Sequence, residues 1–275
     1  MRRLAAELRR LSATTDLSRE DVAEQTGINN VTLYRIETAR AKPQMRTLMS
    51  LLNLYGTQGE QRTQLVELSK DATKQGWLRP FHTDLPEEYT AYISFEAEAH
   101  SLRNYQSLFV PGLLQTEAYA RPVVQGVLPQ AGAQDVEDRV QARMERQRLL
   151  VGDLPLRLWA IIDEAALHRL VGGPSVMRDQ LNRLIEVSAQ PNVTLQVIDY
   201  AAGAHAGMPG SFALMDFDDP MDTDLIYIDS MAGDLFLESD ADVRRYTTIF
   251  DHLRAVARSP AGSTSLLAEL AHRVE

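Results

Sequence analysis

LSREDVAEQTGINNVTLYRIETARAKP, residues 17–43, reads as two short helices joined by a tight turn and followed by a basic exit. Ser18-Arg-Glu-Asp21 fits the capping pattern in which a serine and an acid satisfy each other's orphan backbone donors. Val22 and Ala23 face inward, Gly27 ends the helix where positive φ is usual, and Ile28 plugs the turn. Asn29 is a good N-cap for the next helix, whose Leu33 and Ile36 point to the core. Upstream, Leu4, Leu8 and Leu11 recur at helical spacing, and Asp16 falls where the chain must turn. Beyond Pro43, Leu48, Leu51 and Leu52 predict a fourth helix. Residues 61–70, with Leu65 and Leu68 inside, predict a fifth. The expectation is an all-α five-helix domain over 1–74.

A helix pair joined at a glycine is either a plain hairpin or a helix-turn-helix unit whose second helix enters the DNA major groove. The third helix carries the chemistry of the second choice. Asn29, Asn30, Val31, Tyr34 and Arg35 are the candidate base readers: Asn matches adenine, Arg matches guanine, and an apolar group meets the thymine methyl. Arg19, Thr32, Arg40, Lys42 and Arg46 flank them as candidate phosphate contacts, which fix register while base contacts give preference.

Composition bounds the rest. The chain has 275 residues, 44% of them hydrophobic, enough for one large core or two smaller ones. No apolar run reaches membrane-spanning length, and MRRLAAELRRL lacks the separate apolar region of a signal peptide. Cysteine is absent, so disulfides and thiolate metal sites are excluded and a cytoplasmic location is expected. The net charge of −10 is unevenly spread: residues 1–74 sum to +3 and residues 75–275 to −13. A double-stranded DNA operator is therefore expected to meet the N-terminal segment alone, because the acidic remainder repels nucleic acid.

Through "LSREDVAEQTGI", "TLYRIE" and the basic turn with Pro43, the segment resembles the Xre/Cro family of phage-repressor-like DNA-binding domains. The resemblance implies that Arg19 contacts phosphate and that Asn29 to Val31, Tyr34 and Arg35 occupy recognition positions. Two positions depart from the family pattern. Ala39 stands where glycine usually follows the third helix. Ser12 stands where a helix-one arginine usually pairs with Glu37, leaving Arg9 or Arg10 as substitutes.

Glycine, proline and threonine interrupt the helical pattern at 71–86, the expected linker to a second domain over 75–275. Residues 87–106 read as one long helix with Ile93, Ala97 and Leu102 inward. A turn and helix follow over 110–128, then a helix over 135–151. On that helix Arg139, Arg143 and Arg146 form a row at i, i+4, i+7, which reads as a solvated face tied by Glu–Arg pairs. Residues 156–163, 192–199, 211–217, 223–230 and 234–239 read as strands, and 175–189, 240–257 and 263–274 as helices. The expected class is α+β: the helical domain, then a larger mixed domain with a helical part and a mixed β-sheet covered by helices.

"SFEAEA", "VPGLLQTEAYA", "RVQARMERQRLL", "DEAALHRLVGGPSVMRDQL", "NVTLQVI" and "AAGAHAG" resemble the large C-terminal domain of actinobacterial Xre-type regulators, the WhiJ-like, antitoxin-like group. That resemblance implies a transcriptional regulator, often encoded beside a small partner protein. Tyr105, Gln115, Tyr119, Arg143, Gln147 and His205 mix aromatic and polar groups able to line a pocket for a small-molecule effector or a small neighbouring-gene protein. The same residues are equally able to lock helices together. A homodimer held by residues beyond 75 is expected.

The chemistry of an enzyme is not complete. Glu96, Glu98 and His100 are spaced so that one helix face cannot present all three, and the acidic run 216–224 lacks the glycine of a calcium loop. His205 loosely matches the nucleophile of phospholipase-D-type folds, but Gly207 stands where they need lysine. Asp163 and Glu164 read as surface or capping groups. The expectations are no enzyme, no cofactor and no metal. A regulator is the first reading, a module that neutralises a neighbouring protein the second, and a cryptic hydrolase the remote third.

Overall fold

A computed structural model describes residues 2–15, 17–38, 41, 43–71, 85–218, 223–231 and 233–274. Asp16, Ala39, Arg40, Lys42 and most of the predicted linker lie outside the described residues. Contacts divide the chain into two compact units, 1–91 and 92–275.

The first unit holds α1 (Arg2–Ala13), α2 (Arg19–Thr26), α3 (Asn30–Glu37), α4 (Met45–Leu54) and α5 (Gly59–Asp71). Leu4, Leu8 and Leu11 meet Val22, Leu33, Ile36, Leu48, Leu51, Leu52 and Leu65 in one apolar core, as the spacing predicts. The turn is built locally. The Asp21 backbone N–H donates to Ser18 Oγ at 3.2 Å, and Asp21 Oδ2 accepts the Ser18 N–H at 2.8 Å. Gly27 takes φ 70°, which spares the chain a Cβ clash, and its N–H closes on the Ala23 carbonyl.

The second unit is built on a six-stranded sheet: β1 (Ser101–Gln106), β2 (Arg157–Asp163), β3 (Val193–Ile198), β4 (Phe212–Asp216), β5 (Leu225–Ile228) and β6 (Leu235–Leu237). The order is β3-β2-β1-β4-β5-β6. β1, β2 and β3 are parallel, while β4, β5 and β6 are antiparallel to their neighbours. The crossover from β1 to β2 contains α7 (Glu117–Val127) and α8 (Ala133–Arg146). The next contains α9 (Glu164–His168) and α10 (Pro174–Val187), and α11 (Asp240–Val256) and α12 (Pro260–Arg273) close the chain.

Residues 87–106 are not one helix. α6 spans Glu87–Glu98, and after Ala99 and His100 the chain enters β1. Six residues with little intrinsic strand preference become extended because β1 pairs on both sides, with β2 and with β4. On one sheet face Tyr105, Ile161, Ile198, Phe212, Leu214 and Ile226 pack under Phe250 and Leu253 of α11. On the other, Tyr92 of α6 meets Tyr227 at 4.2 Å and Phe95 meets Phe236 at 5.3 Å.

The free edge of β3 is occupied. The Arg258 N–H donates to the Val197 carbonyl and the Val197 N–H to Ser263 Oγ, both at 2.9 Å.

The arginine row of α8 is not a solvated face. Arg146 is 3% exposed and reaches Glu96 through Nε and Nη2, each at 2.7 Å. The Glu96 carboxylate also accepts the Tyr92 hydroxyl at 2.7 Å, and the guanidinium lies 4.9 Å from the Tyr92 ring. Burial and the adjacent Glu96 push the Tyr92 hydroxyl well above the usual tyrosine range. The partner that turns Arg146 inward is fifty residues upstream, beyond any helical spacing rule.

Candidate nucleic-acid interface

α3 divides cleanly. Leu33 and Ile36 are buried, while Asn30, Val31, Thr32 and Tyr34 are exposed and Arg35 is half-buried. Val31 is 62% exposed, so most of its surface is left in water. Asn29 Oδ1 accepts the Val31 N–H at 2.8 Å, so this candidate reader also caps the helix.

Arg19, at the start of α2, donates through Nε and Nη2 to Glu37 Oε2 at 3.1 and 3.0 Å. Its guanidinium carbon lies 5.5 Å from the Tyr34 ring centre. The ion pair that the family pattern gives to helix one is made here from α2. Arg10 pairs with Glu7, and Arg9 donates to the Glu37 backbone carbonyl. The guanidinium of Arg19 has donors beyond the two spent on Glu37. Glu37 therefore fixes the cation beside α3 and leaves it able to grip phosphate. Arg46 is exposed in the first turn of α4, whose N-cap Gln44 makes no side-chain bond.

The six C-terminal candidates fall into two groups. Arg143 Nη1 donates to Gln115 Oε1 at 3.0 Å, and Gln147 Nε2 to the Gln115 carbonyl at 2.6 Å. Gln115 Nε2 donates to the Val110 carbonyl, and the Tyr119 hydroxyl accepts the Val110 N–H. These bonds tie α7, α8 and the 110–115 turn together.

Tyr105 and His205 lie elsewhere, edge to face with ring centres 6.1 Å apart. His205 Nδ1 accepts the Gly207 N–H at 3.2 Å, so Nε2 carries the ring proton and donates to Asp163 Oδ2 at 3.2 Å. Asp163 Oδ1 caps α9 by accepting the Ala165 N–H at 2.9 Å. Both ring nitrogens of His205 are thus engaged within the protein. Among the described residues no group of three or more His, Cys, Asp or Glu side chains is arranged to hold a metal ion, and no helix is long and apolar enough to cross a membrane.

Gly207 lies on the Tyr105 ring. A Cβ there would meet ring carbons Cε1 and Cζ at 2.5 Å. Gly207→Ala should cost about 1–3 kcal/mol by overpacking. Gly126→Ala in α7, where nothing lies within 4 Å, should cost nothing. Urea unfolding of the two full-length variants checks the contrast.

A family model described as a domain of unknown function (DUF5753) matches residues 89–269, well over half of the chain. The chain belongs to that family. A second model, described as a helix-turn-helix domain, matches residues 3–65. No curated protein and no solved structure gives a match. A helix-turn-helix domain thus precedes a DUF5753 domain, and the former marks the protein as a DNA-binding regulator.

Proposed function

We propose that the protein is a sequence-specific transcriptional regulator of the phage-repressor-like type. It reads an operator through α3, and its DUF5753 domain, beyond residue 75, responds to a small ligand or small partner protein. The observation that carries this reading is the outward set of α3, with Asn30, Val31, Thr32 and Tyr34 exposed over a buried Leu33 and Ile36. Arg19 and Arg46 stand ready as phosphate contacts beside it. The role is non-enzymatic, and the engaged nitrogens of His205 support that.

One helix-turn-helix unit contacts few base pairs, so the protein acts as a homodimer on two half-sites about one helical turn apart. The acidic C-terminal part supplies the dimer contact and keeps its own bulk away from DNA. Selection of duplexes from a random pool by the full-length protein should return a two-fold symmetric site. Light scattering should give a dimer for the full chain and a monomer for residues 1–74. A monomeric full chain, or a dimeric fragment that binds the selected site equally well, would overturn the assembly.

A further inference from the structure

α11 covers only part of its sheet face. Its last contacts are Phe250, edge-on to Trp159 at 6.2 Å, and Arg254, whose guanidinium carbon lies 5.0 Å from the Trp159 ring centre. Beyond them, over the amino ends of the three parallel strands, a cavity of about 890 Å³ remains. That volume is in the range of small-molecule sites.

Strand alternation and register put Ser101, Arg103, Arg157, Trp159 and Thr194 together on its floor. A sheet face meant only to be covered would carry apolar residues there, as the α11-covered end does. Here the floor is polar around one indole, and it is held in place. Asp216 accepts from both Ser101 Oγ and Arg103 Nη2. The Trp159 indole N–H donates to Gln196 Oε1 at 2.8 Å, and Gln196 Nε2 donates in turn to the Arg258 carbonyl at 2.8 Å.

Charge bookkeeping narrows the ligand. Arg103 is matched by Asp216, and His100 Nδ1 lies 3.0 Å from Asp218. Arg157 is exposed and has no carboxylate partner among the described residues. Arg103 Nε is buried without an acceptor. The unmet demand of the site is for one anionic group beside a flat ring surface. Glu98 and Asp218 at the rim act against a polyanion.

We propose that this cavity binds a small planar organic monoanion, an aromatic or heteroaromatic carboxylate, with its ring against Trp159 and its carboxylate on Arg157. This deepens the ligand-sensing half of the proposed function and rests on it only for the consequence at the operator. None of the six pocket residues expected from sequence takes part.

The test uses the full-length protein carrying Trp77→Phe, so that fluorescence reports Trp159 as the remaining tryptophan. Benzoate, nicotinate and picolinate are the probes, and nicotinamide is the neutral control. At least one acid should quench saturably where nicotinamide does not. Arg157→Gln should weaken that binding about tenfold or more, and Arg157→Lys should recover part of it. Arg157 is solvent-exposed, so neither substitution threatens folding, and circular dichroism checks this. No saturable quenching by any acid at millimolar concentration, or equal binding by Arg157→Gln, overturns the site. Operator affinity is then measured with and without the bound acid. Arg157-dependent quenching with unchanged operator affinity leaves the site standing and overturns the sensor role.

Discussion

Arg146→Ala lowers the stability of the C-terminal domain by about 3–5 kcal/mol, the cost of leaving one member of a buried ion pair uncompensated. The side chains of Glu96 and Arg146 are 0% and 4% exposed, so the orphaned carboxylate cannot recover its loss from water. The substitution also removes the cation from the Tyr92 ring. Glu96→Gln should be milder than Glu96→Ala, because an amide still accepts from the Tyr92 hydroxyl and leaves no cavity. The pair Glu96→Leu with Arg146→Met should recover much of the loss, since apolar replacement of both partners is often neutral or better. Urea unfolding of the full-length variants, followed by near-ultraviolet circular dichroism, reads all four. A loss below about 1 kcal/mol for Arg146→Ala would place the pair in a wetter setting than its burial indicates.

Arg35→Ala or Asn30→Ala should each cost about 1–3 kcal/mol of operator affinity and relax preference at one base pair per half-site. A lost bidentate contact removes discrimination as well as energy. Arg19→Ala should behave differently, weakening all duplexes alike and lowering the salt slope by about one. It also releases Glu37, whose side chain is 12% exposed, so a small loss of fold stability accompanies it. Competition between selected and scrambled duplexes at several salt concentrations separates the two patterns. Unchanged discrimination by Arg35→Ala would mean that α3 does not read the groove in the proposed orientation.

The N-terminal elements were legible because their signals are local. Ser18 with Asp21, Gly27 with Ala23, and Asn29 with Val31 each act within one helical turn. β2 to β6 were legible for a related reason, since their apolar runs are short and bounded by turns. β1 was not. Its Ser-Leu-Arg-Asn-Tyr-Gln sequence continues the helical pattern of α6, and only pairing with strands far along the chain makes it extended. Reading it as helix hid the cavity, because Ser101 and Arg103 then share no face with Trp159 and Thr194. The inward turn of Arg146 was hidden likewise, since spacing along α8 says nothing of Glu96. At the interface, the outward face of α3 could be read directly. The pairing of Glu37 with Arg19 could not, because it joins two helices across the turn.

The covering of β3 bears on how the chain is made. An outer strand with open backbone groups is a template for another chain, and this one is the β-branched, aliphatic Val193–Ile198. Here Arg258 and Ser263 take both backbone groups of Val197, and Ser263 lies 66 residues further along the chain. Domains form as the chain emerges from the ribosome, amino end first. β3 therefore waits uncovered until the segment from Arg258 to Ser263 has emerged. A premature stop or a proteolytic cut just ahead of Arg258 does more than trim a helix: it leaves a sticky border on an otherwise assembled sheet, and insolubility is the natural outcome.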